Sequence, residues 1–133
     1  MDFIELIQMK MVDAGKMLEW KNYPETREFA IVNHEKVKLK DHLKWLKKNI
    51  KYFKIILCDG ITCGAIRIQN KEVSIWIDRA CRGNGIATRT IQIVSRSGFT
   101  AKIVEGNIAS MKCFIKCGYL PVSHQDGYYI FKK

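Results

Sequence analysis

The sequence contains no long apolar run, because charged residues interrupt every apolar stretch well before the roughly 20 residues that a membrane-spanning helix requires. The first stretch, MDFIELIQMKMVD, is broken by charge in the same way, so we expect neither a membrane span nor a secretory signal peptide. Only two of the 133 residues are proline, and no repeat or low-complexity segment is present. With 47% hydrophobic residues, the composition excludes a disordered chain and predicts one globular domain over residues 1–133.

Acidic residues are scarce. Thirteen Asp and Glu residues against 23 Lys and Arg residues give a net charge of +10. Such an excess favours anionic partners, namely nucleic acid, anionic lipid or phosphorylated small molecules, without choosing among them. The lysines between Lys36 and Lys54 would suit a nucleic-acid-binding module, but the chain has neither an aromatic-interleaved RNA motif nor a helix-turn-helix pattern. We therefore expect neither nucleic acid nor a membrane as a partner.

Cysteine is present in an odd number, with five residues. Because a signal peptide is not expected either, this count favours a reducing, cytoplasmic location. Cys113 and Cys117 are spaced to share a helix face, but no matching Cys or His pair lies nearby at metal spacing, so we expect packing residues and no metal site. None of the five has an adjacent His to activate a thiolate, so we expect no cysteine nucleophile.

The hydrophobic pattern predicts the order strand, helices, three strands, helix, strand, helix, two strands. Three β-rich runs from FKIILC to VSIWID are separated by turn residues at Asp59-Gly60 and Asn70-Lys71, which indicates an antiparallel meander. The further local predictions concern helix caps and faces: Asp13 as an N-cap, Gly98 as a helix end, and an apolar helix stripe of Leu39, Leu43, Leu46 and Ile50. The sum is an α/β fold with a mixed sheet.

The stretch Arg82–Thr88, RGNGIAT, lies between the fourth strand and the following helix. The N-terminus of a helix carries unpaired N–H groups and a partial positive charge, and glycines allow the backbone to approach a phosphate closely. Arg82 would add a charge-assisted contact. A dinucleotide-binding loop is not indicated, because Thr88 stands where the third glycine of that motif would be.

Two motifs in this order resemble the GNAT superfamily of acyl-coenzyme A-dependent N-acetyltransferases. The first motif is supplied by Arg82, Gly85 and Ala87. The second motif is supplied by Asn107, Ser110, Phe114, Lys116, Gly118 and Tyr119. The resemblance covers essentially the whole chain and implies a mixed, mostly antiparallel sheet of about seven strands flanked by helices, with strands four and five splayed apart. It implies acetyl-CoA as the co-substrate.

The resemblance also implies where the coenzyme binds. The glycine loop would hold its pyrophosphate, a backbone N–H near Trp76 or Ile77 would hold the thioester carbonyl, and Asn107 would contact the pantetheine arm. Many relatives carry a Tyr at the position of Phe114 to protonate the thiolate, and Ser110 is the nearest substitute. The implied coenzyme-binding residues are Ile77, Arg82, Gly83, Asn84, Gly85, Ile86, Ala87, Thr88, Asn107 and Phe114.

The attacking amine must be neutral, so a general base is useful. Glu72, Asp78, Glu105, His124 and His42 are the candidates from the residues, and none of them is decisive. Glu105 lies two residues before Asn107, close to the expected splay. The catalytic candidates are Glu105, Ser110 and His42.

The N-terminal half, LEWKNYPETREFA to KLKDHLKWL, resembles a subgroup that includes ribosomal-protein N-terminal acetyltransferases and bacterial enzymes that acetylate nucleotide-linked amino sugars, such as the enzyme of the pseudaminic acid pathway. We favour a UDP- or dTDP-linked amino sugar as the acceptor and partner, because the chain is short and contains the DHLKWL helix. Its positive charge suits a donor and an acceptor that both carry diphosphates. Protein N-terminal acetylation and a non-catalytic acyl-CoA sensor are the alternatives, and a homodimer is left open. The residues that would line or support the acceptor side are Trp20, Asn22, Arg27, His42 and Trp45.

Overall fold

The computed structural model describes residues 3–31 and 34–133. The elements in chain order are β1 (Ile4–Gln8), α1 (Ala14–Asn22), α2 (Pro24–Glu28), α3 (Leu39–Asn49), β2 (Phe53–Cys58), β3 (Ile61–Gln69), β4 (Glu72–Ile77), α4 (Ile86–Val94), β5 (Thr100–Val104), α5 (Ile108–Lys116), β6 (Leu120–Gln125) and β7 (Tyr128–Lys132). This is the order that the sequence pattern predicts.

The strands form one seven-stranded sheet in the order β1-β2-β3-β4-β5-β7-β6. All neighbours are antiparallel except β4 and β5, so the expected mixed, mostly antiparallel sheet is confirmed. The hairpin turns at Asp59-Gly60, Asn70-Lys71 and Asp126-Gly127 have positive φ at both central residues, as the two-residue turns of right-twisted hairpins require.

The parallel pair β4 and β5 separates almost at once. Among the described residues, the two strands are paired only at Glu72 and Thr100, which lie at their first positions. Beyond this pair the two strands diverge toward the ends that lead into α4 and α5. The splay between the fourth and fifth strands is therefore present.

The sheet is covered on both faces. One core cluster contains Ile86 and Ile91 of α4 and Phe114 of α5, packed on residues such as Ile66 and Ile103. The other contains Met17 and Trp20 of α1 and Leu46 of α3, packed on Phe53 and Ala65. The opening between β4 and β5 thus lies between a layer of α4 and α5 and a layer of α1 and α3.

The predicted apolar stripe of α3 is wrong in part. Leu39 and Leu43 are 55% and 38% exposed, whereas His42 and Leu46 are fully buried. The helix is rotated because the His42 imidazole lies inside, with its Nε2 3.0 Å from the carbonyl oxygen of Ala14. The hydrogen bond to the carbonyl of Ala14 offsets the desolvation cost of burying the histidine. The two leucines are therefore turned outward.

Of the two predicted helix caps, Gly98 does not end α4, whereas Asp13 does occupy the N-cap position of α1. α4 ends at Val94, where Ser95 adopts extended geometry, and Gly98 lies beyond it in a turn that donates to the carbonyl of Lys133. The side chain of Asp13 does not cap α1, because its Oδ2 accepts the N–H of Lys10 at 2.9 Å. Both differences arise from backbone contacts outside the helix concerned.

Candidate active site

The glycine loop leads into α4 with an uncapped helix N-terminus. Gly83 and Gly85 have φ of +84° and +71°, and Gly85 is the N-cap residue, where no side-chain cap is present. The first helical bond runs from the N–H of Arg89 to the carbonyl of Gly85. The N–H groups before it have no acceptor within the helix, and a Cβ built on either glycine meets nothing within 4 Å, so an anion has room beside these donors.

The backbone of Ile77 faces the splay. The N–H of Asp78 donates to the carbonyl of Cys63 on β3 at 2.8 Å, and the carbonyl of Trp76 lies against Gly64 of the same strand. Because successive residues of a strand direct their backbone groups to opposite sides, Ile77 presents its N–H and carbonyl to the opening. The Nε of Arg82 donates to that carbonyl at 3.2 Å, which places the guanidinium at the mouth of the splay.

The carboxylate of Glu25, on α2, accepts hydrogen bonds from two guanidinium groups at the mouth of the splay. Glu25 accepts Arg79 through both oxygens, at 2.6 and 2.7 Å, and accepts Arg82 at 2.8 Å. The Arg79 hydrogen bonds are the main cause of the lowered pKa of Glu25. The ring of Tyr23 lies 3.9 Å beneath Arg79. Sequence reasoning missed Arg79 and Glu25, because a pairing of side chains 54 residues apart has no pattern in the sequence.

Glu25 therefore stands where a phosphate would compete for the same donors. We expect Glu25→Gln to bind acetyl-CoA about fivefold more tightly, because two exposed ion pairs no longer oppose the coenzyme. The matched control is Glu28→Gln, which removes the same charge from the exposed end of α2. Isothermal calorimetry on both variants checks this. Weaker binding in Glu25→Gln would show instead that the carboxylate orients the arginines for the coenzyme.

The N-terminus of α5 is capped by Asn107, whose Oδ1 accepts the N–H of Ser110 at 3.4 Å. Phe114 is buried and packs edge-on against Tyr119, with ring centroids 4.9 Å apart. The Tyr119 hydroxyl is 2.6 Å from the Ser95 hydroxyl, and burial raises the pKa of Tyr119. Tyr119 is thus a core residue held by the end of α4 and does not replace the missing tyrosine at position 114.

Glu105 is paired with the Nε2 of His124, whose ring stacks on Tyr129 at 4.2 Å. Glu105 also borders a groove whose other lining residues belong to Gly106, α5, β6 and β7, with none from β4. The structure therefore places this carboxylate beside the C-terminal hairpin. Its role as a base stays a proposal.

The remaining base candidates have other partners. Asp78 accepts the indole N–H of Trp20 at 3.0 Å and the N–H of Ala80 at 2.9 Å, and the first of these bonds is the main cause of its lowered pKa. Glu72 pairs with Lys102 at 3.4 Å, at the closed end of the splay. His42 is fully buried, and burial lowers its pKa. The lowered pKa makes Asp78 a weaker base than an ordinary aspartate.

Trp20, Asn22 and Arg27 of the predicted acceptor side lie on α1 and α2, and His42 and Trp45 lie on α3, and their role at an acceptor site stays a prediction. The amide of Asn22 holds the backbone of Val37 through two bonds, at 2.8 and 2.9 Å, and Arg27 donates to the carbonyl of Asn22. Trp20 is buried, and Trp45 packs edge-on against Phe53. These contacts fix the two helices and the segment that precedes α3.

Four of the five cysteines are buried. Burial raises the pKa of Cys63 to about 12 and also raises that of Cys117, so thiolates are disfavoured at both positions. Cys113 and Cys117 both contact Thr88, which ties α5 to the first turn of α4.

Within residues 3–31 and 34–133 no group of three His, Cys, Asp or Glu side chains is arranged to hold a metal ion. In the described part of the chain, no helix combines the length and the apolar character needed to cross a membrane.

A mixed seven-stranded sheet that opens between its fourth and fifth strands, with a glycine turn leading into the helix after the fourth, defines the GNAT fold, and this chain has it. No protein-family model matches the sequence, and no curated protein sequence matches it.

Solved structures match over nearly the whole chain. A domain from Methanocaldococcus jannaschii has 18% identity and a TM-score of 0.84, with 98% of this chain and 97% of that chain covered. RimL, a ribosomal L7/L12 alpha-N-protein acetyltransferase in complex with coenzyme A, has 14% identity and a TM-score of 0.77, with 100% and 94% covered. A GNAT-family acetyltransferase from Bacillus anthracis has 12% identity and a TM-score of 0.75, with 97% and 91% covered. At these identities the likeness establishes the shared fold.

Proposed function

We propose that this protein is an acetyl-CoA-dependent N-acetyltransferase whose acceptor is the amine of a UDP- or dTDP-linked amino sugar. The observation that carries the coenzyme assignment is the uncapped, glycine-flanked N-terminus of α4 beside the splayed edge of β4. Backbone donors there suit a pyrophosphate, and Arg82 at the same mouth adds a cation. Structural neighbours with coenzyme A bound support the same coenzyme.

The proposed reaction is direct attack of the amine on the thioester carbonyl. The carbon–nitrogen bond forms, the carbon–sulfur bond breaks, the amine proton goes to a base or to water, and coenzyme A leaves as the thiolate. The N–H of Ile77 would stabilise the oxyanion, and the Asn107 amide would hold the pantetheine arm. Phe114 has no proton to give, and a thiol with a pKa near 8.5 leaves acceptably as a thiolate. Glu105, Ser110 and His42 remain the candidates for proton transfer.

The acceptor assignment rests on the N-terminal half and on charge. The segment from LEWKNYPETREFA to KLKDHLKWL resembles a subgroup that includes ribosomal-protein N-terminal acetyltransferases and enzymes that acetylate nucleotide-linked amino sugars. A net charge of +10 favours a donor and an acceptor that both carry diphosphates. Trp20, Asn22 and Arg27 would support this side through the contacts they make within it. The likeness to RimL favours protein N-terminal acetylation as a second candidate.

The test offers acetyl-CoA with UDP- and dTDP-linked amino sugars beside peptides with free N-terminal amines, and follows thiol release. We expect release with at least one sugar and a rate that rises with pH as the neutral amine fraction grows. The KM for the sugar should rise with salt, because attraction to its diphosphate is screened over about 8 Å at physiological ionic strength.

Each other outcome points elsewhere. Release with a peptide and with no sugar would replace this assignment by protein N-terminal acetylation. Tight coenzyme binding without release to any acceptor would favour the acyl-CoA sensor, for which the phenylalanine at position 114 is the motivating feature.

A further inference from the structure

Two cations on the face of the sheet covered by α1 and α3 have no acidic partner. The Nζ of Lys21, on α1, lies 3.7 Å above the ring of Trp45. Arg67, on β3, donates through Nη2 to the Oε1 of Gln69, and its Nε is buried without a hydrogen-bond partner. Within the described residues no carboxylate lies within ion-pair distance of either side chain. Both side chains are only partly exposed.

The pair is unfavourable in the free protein. Burial and the charge of Arg67 lower the pKa of Lys21 to about 8. Partly buried cations are normally paired, because desolvation is costly without a counter-charge. The Nε–H of Arg67 is the buried donor that remains without an acceptor. An arrangement with two unopposed cations and an unpartnered buried donor is completed by an anion.

The pairing of β3 with β4 shows where Arg67 lies relative to the splay. Arg67 is opposite Ser74 of β4, and Ala65 is opposite Trp76, one step further along the same face. A separation of two residues along a strand is roughly 7 Å. Trp76 precedes Ile77, whose N–H we assign to the thioester carbonyl. Arg67 therefore lies roughly 7 Å along the sheet from Trp76, on the face opposite α4 and α5.

We propose that Lys21 and Arg67 bind the phosphate groups of the acceptor nucleotide. The inference rests on the proposed function and deepens it by assigning the acceptor subsite. Arg67 supplies a planar fork suited to phosphate oxygens, and Lys21 supplies a point charge. The coenzyme diphosphate has its own donors at α4, so the two substrates use separate cationic sites.

The test titrates UDP and dTDP into the protein by calorimetry and compares Lys21→Met and Arg67→Met with Lys16→Met. Lys16 is an exposed residue of the same helix, 3.5 Å from Glu19, so its replacement removes the same charge. We expect at least tenfold weaker nucleotide binding in the first two variants and a change within twofold in the control. Inorganic pyrophosphate should compete with UDP for the wild-type protein.

Stability supplies an independent readout. Lys21→Met removes a partly buried, unpaired charge, so its unfolding temperature should rise while nucleotide binding falls, which a merely structural lysine would not do. Lys21→Arg and Arg67→Lys keep the charge and should retain most of the binding if a methionine variant fails to fold.

The outcomes separate this inference from the proposed function. Unchanged nucleotide affinity in a folded Lys21→Met or Arg67→Met protein, or no nucleotide binding by the wild type, overturns the phosphate site even if sugars are acetylated. Nucleotide binding that depends on Lys21 and Arg67, without acetyl transfer to any sugar, keeps the site and rejects the proposed reaction. Binding of acidic peptides that depends on Lys21 and Arg67, together with no binding of UDP, would assign the cations to a protein acceptor and overturn the inference.

Discussion

Replacing Gly85 by valine is expected to reduce acetyl-CoA binding by at least about a hundredfold, a loss of about 2.8 kcal/mol, while the protein remains folded. Gly85 adopts φ of +71°, a conformation that β-branched residues rarely take. Its Cβ would point into the open space before α4, where the pyrophosphate has to approach the backbone donors. Losing two charge-assisted hydrogen bonds accounts for an effect of this size.

The control is Gly60→Val, in the hairpin between β2 and β3. Gly60 has φ of +80° and equally open surroundings, so valine imposes the same backbone strain at a distance from the loop. Calorimetry should show normal coenzyme affinity in Gly60→Val. If Gly85→Val is folded and binds as the wild type does, the N-terminus of α4 is not the phosphate site. If both variants lose binding equally, the loss comes from global destabilisation.

Features decided by a few neighbouring residues are predictable from the sequence. The turns at Asp59-Gly60 and Asn70-Lys71 follow from residues that tolerate positive φ. Gly118 ends α5 for the same reason: its N–H donates to the carbonyl of Ile115, and that of Tyr119 donates to the carbonyl of Phe114. The glycines before α4 belong to this class, which is why the tight turn at the start of α4 could be located from the sequence.

Features decided by distant partners could not be predicted in this way. His42 is buried because it meets the carbonyl of Ala14, and that contact rotates Leu39 and Leu43 outward. Periodicity treats histidine as polar and so selects the wrong face. Glu105 lies two residues before Asn107 in the sequence, yet its carboxylate pairs with His124 in the C-terminal hairpin. The direction of such a side chain depends on which strand becomes its neighbour.

Three long-range contacts also tie α1 and α2 to the loop after β4. Trp20 of α1 donates to Asp78, and Glu25 of α2 holds Arg79 and Arg82. The loop that we assign to the coenzyme and the helices that we assign to the acceptor are therefore joined by side-chain contacts. Displacement of Glu25 by a phosphate would remove the contacts that join α2, which has no buried residue, to the loop after β4.

The end of β4 depends on a close approach between strands, and Gly64→Ala is expected to lower the free energy of unfolding by about 3 kcal/mol. A Cβ at Gly64 would lie 2.1 Å from the carbonyl oxygen of Trp76 and 3.1 Å from the Cα of Ile77. Both are backbone atoms, so the two strands would have to move apart. That movement would strain the bond from Asp78 N–H to the carbonyl of Cys63.

The control is Gly15→Ala, the same substitution in α1, where a Cβ meets nothing within 4 Å. Alanine should stabilise this helical position by about 0.5–1 kcal/mol, so the two variants should shift in opposite directions. Urea denaturation measures the free energy of unfolding of both variants, and we expect their m-values to equal that of the wild type. Because Ile77 and Asp78 follow the crowded point, Gly64→Ala should also weaken acetyl-CoA binding in the fraction that is folded. A Gly64→Ala protein as stable as the wild type, with coenzyme affinity unchanged, would mean that β3 and β4 separate here without cost and that this contact does not position the backbone of Ile77.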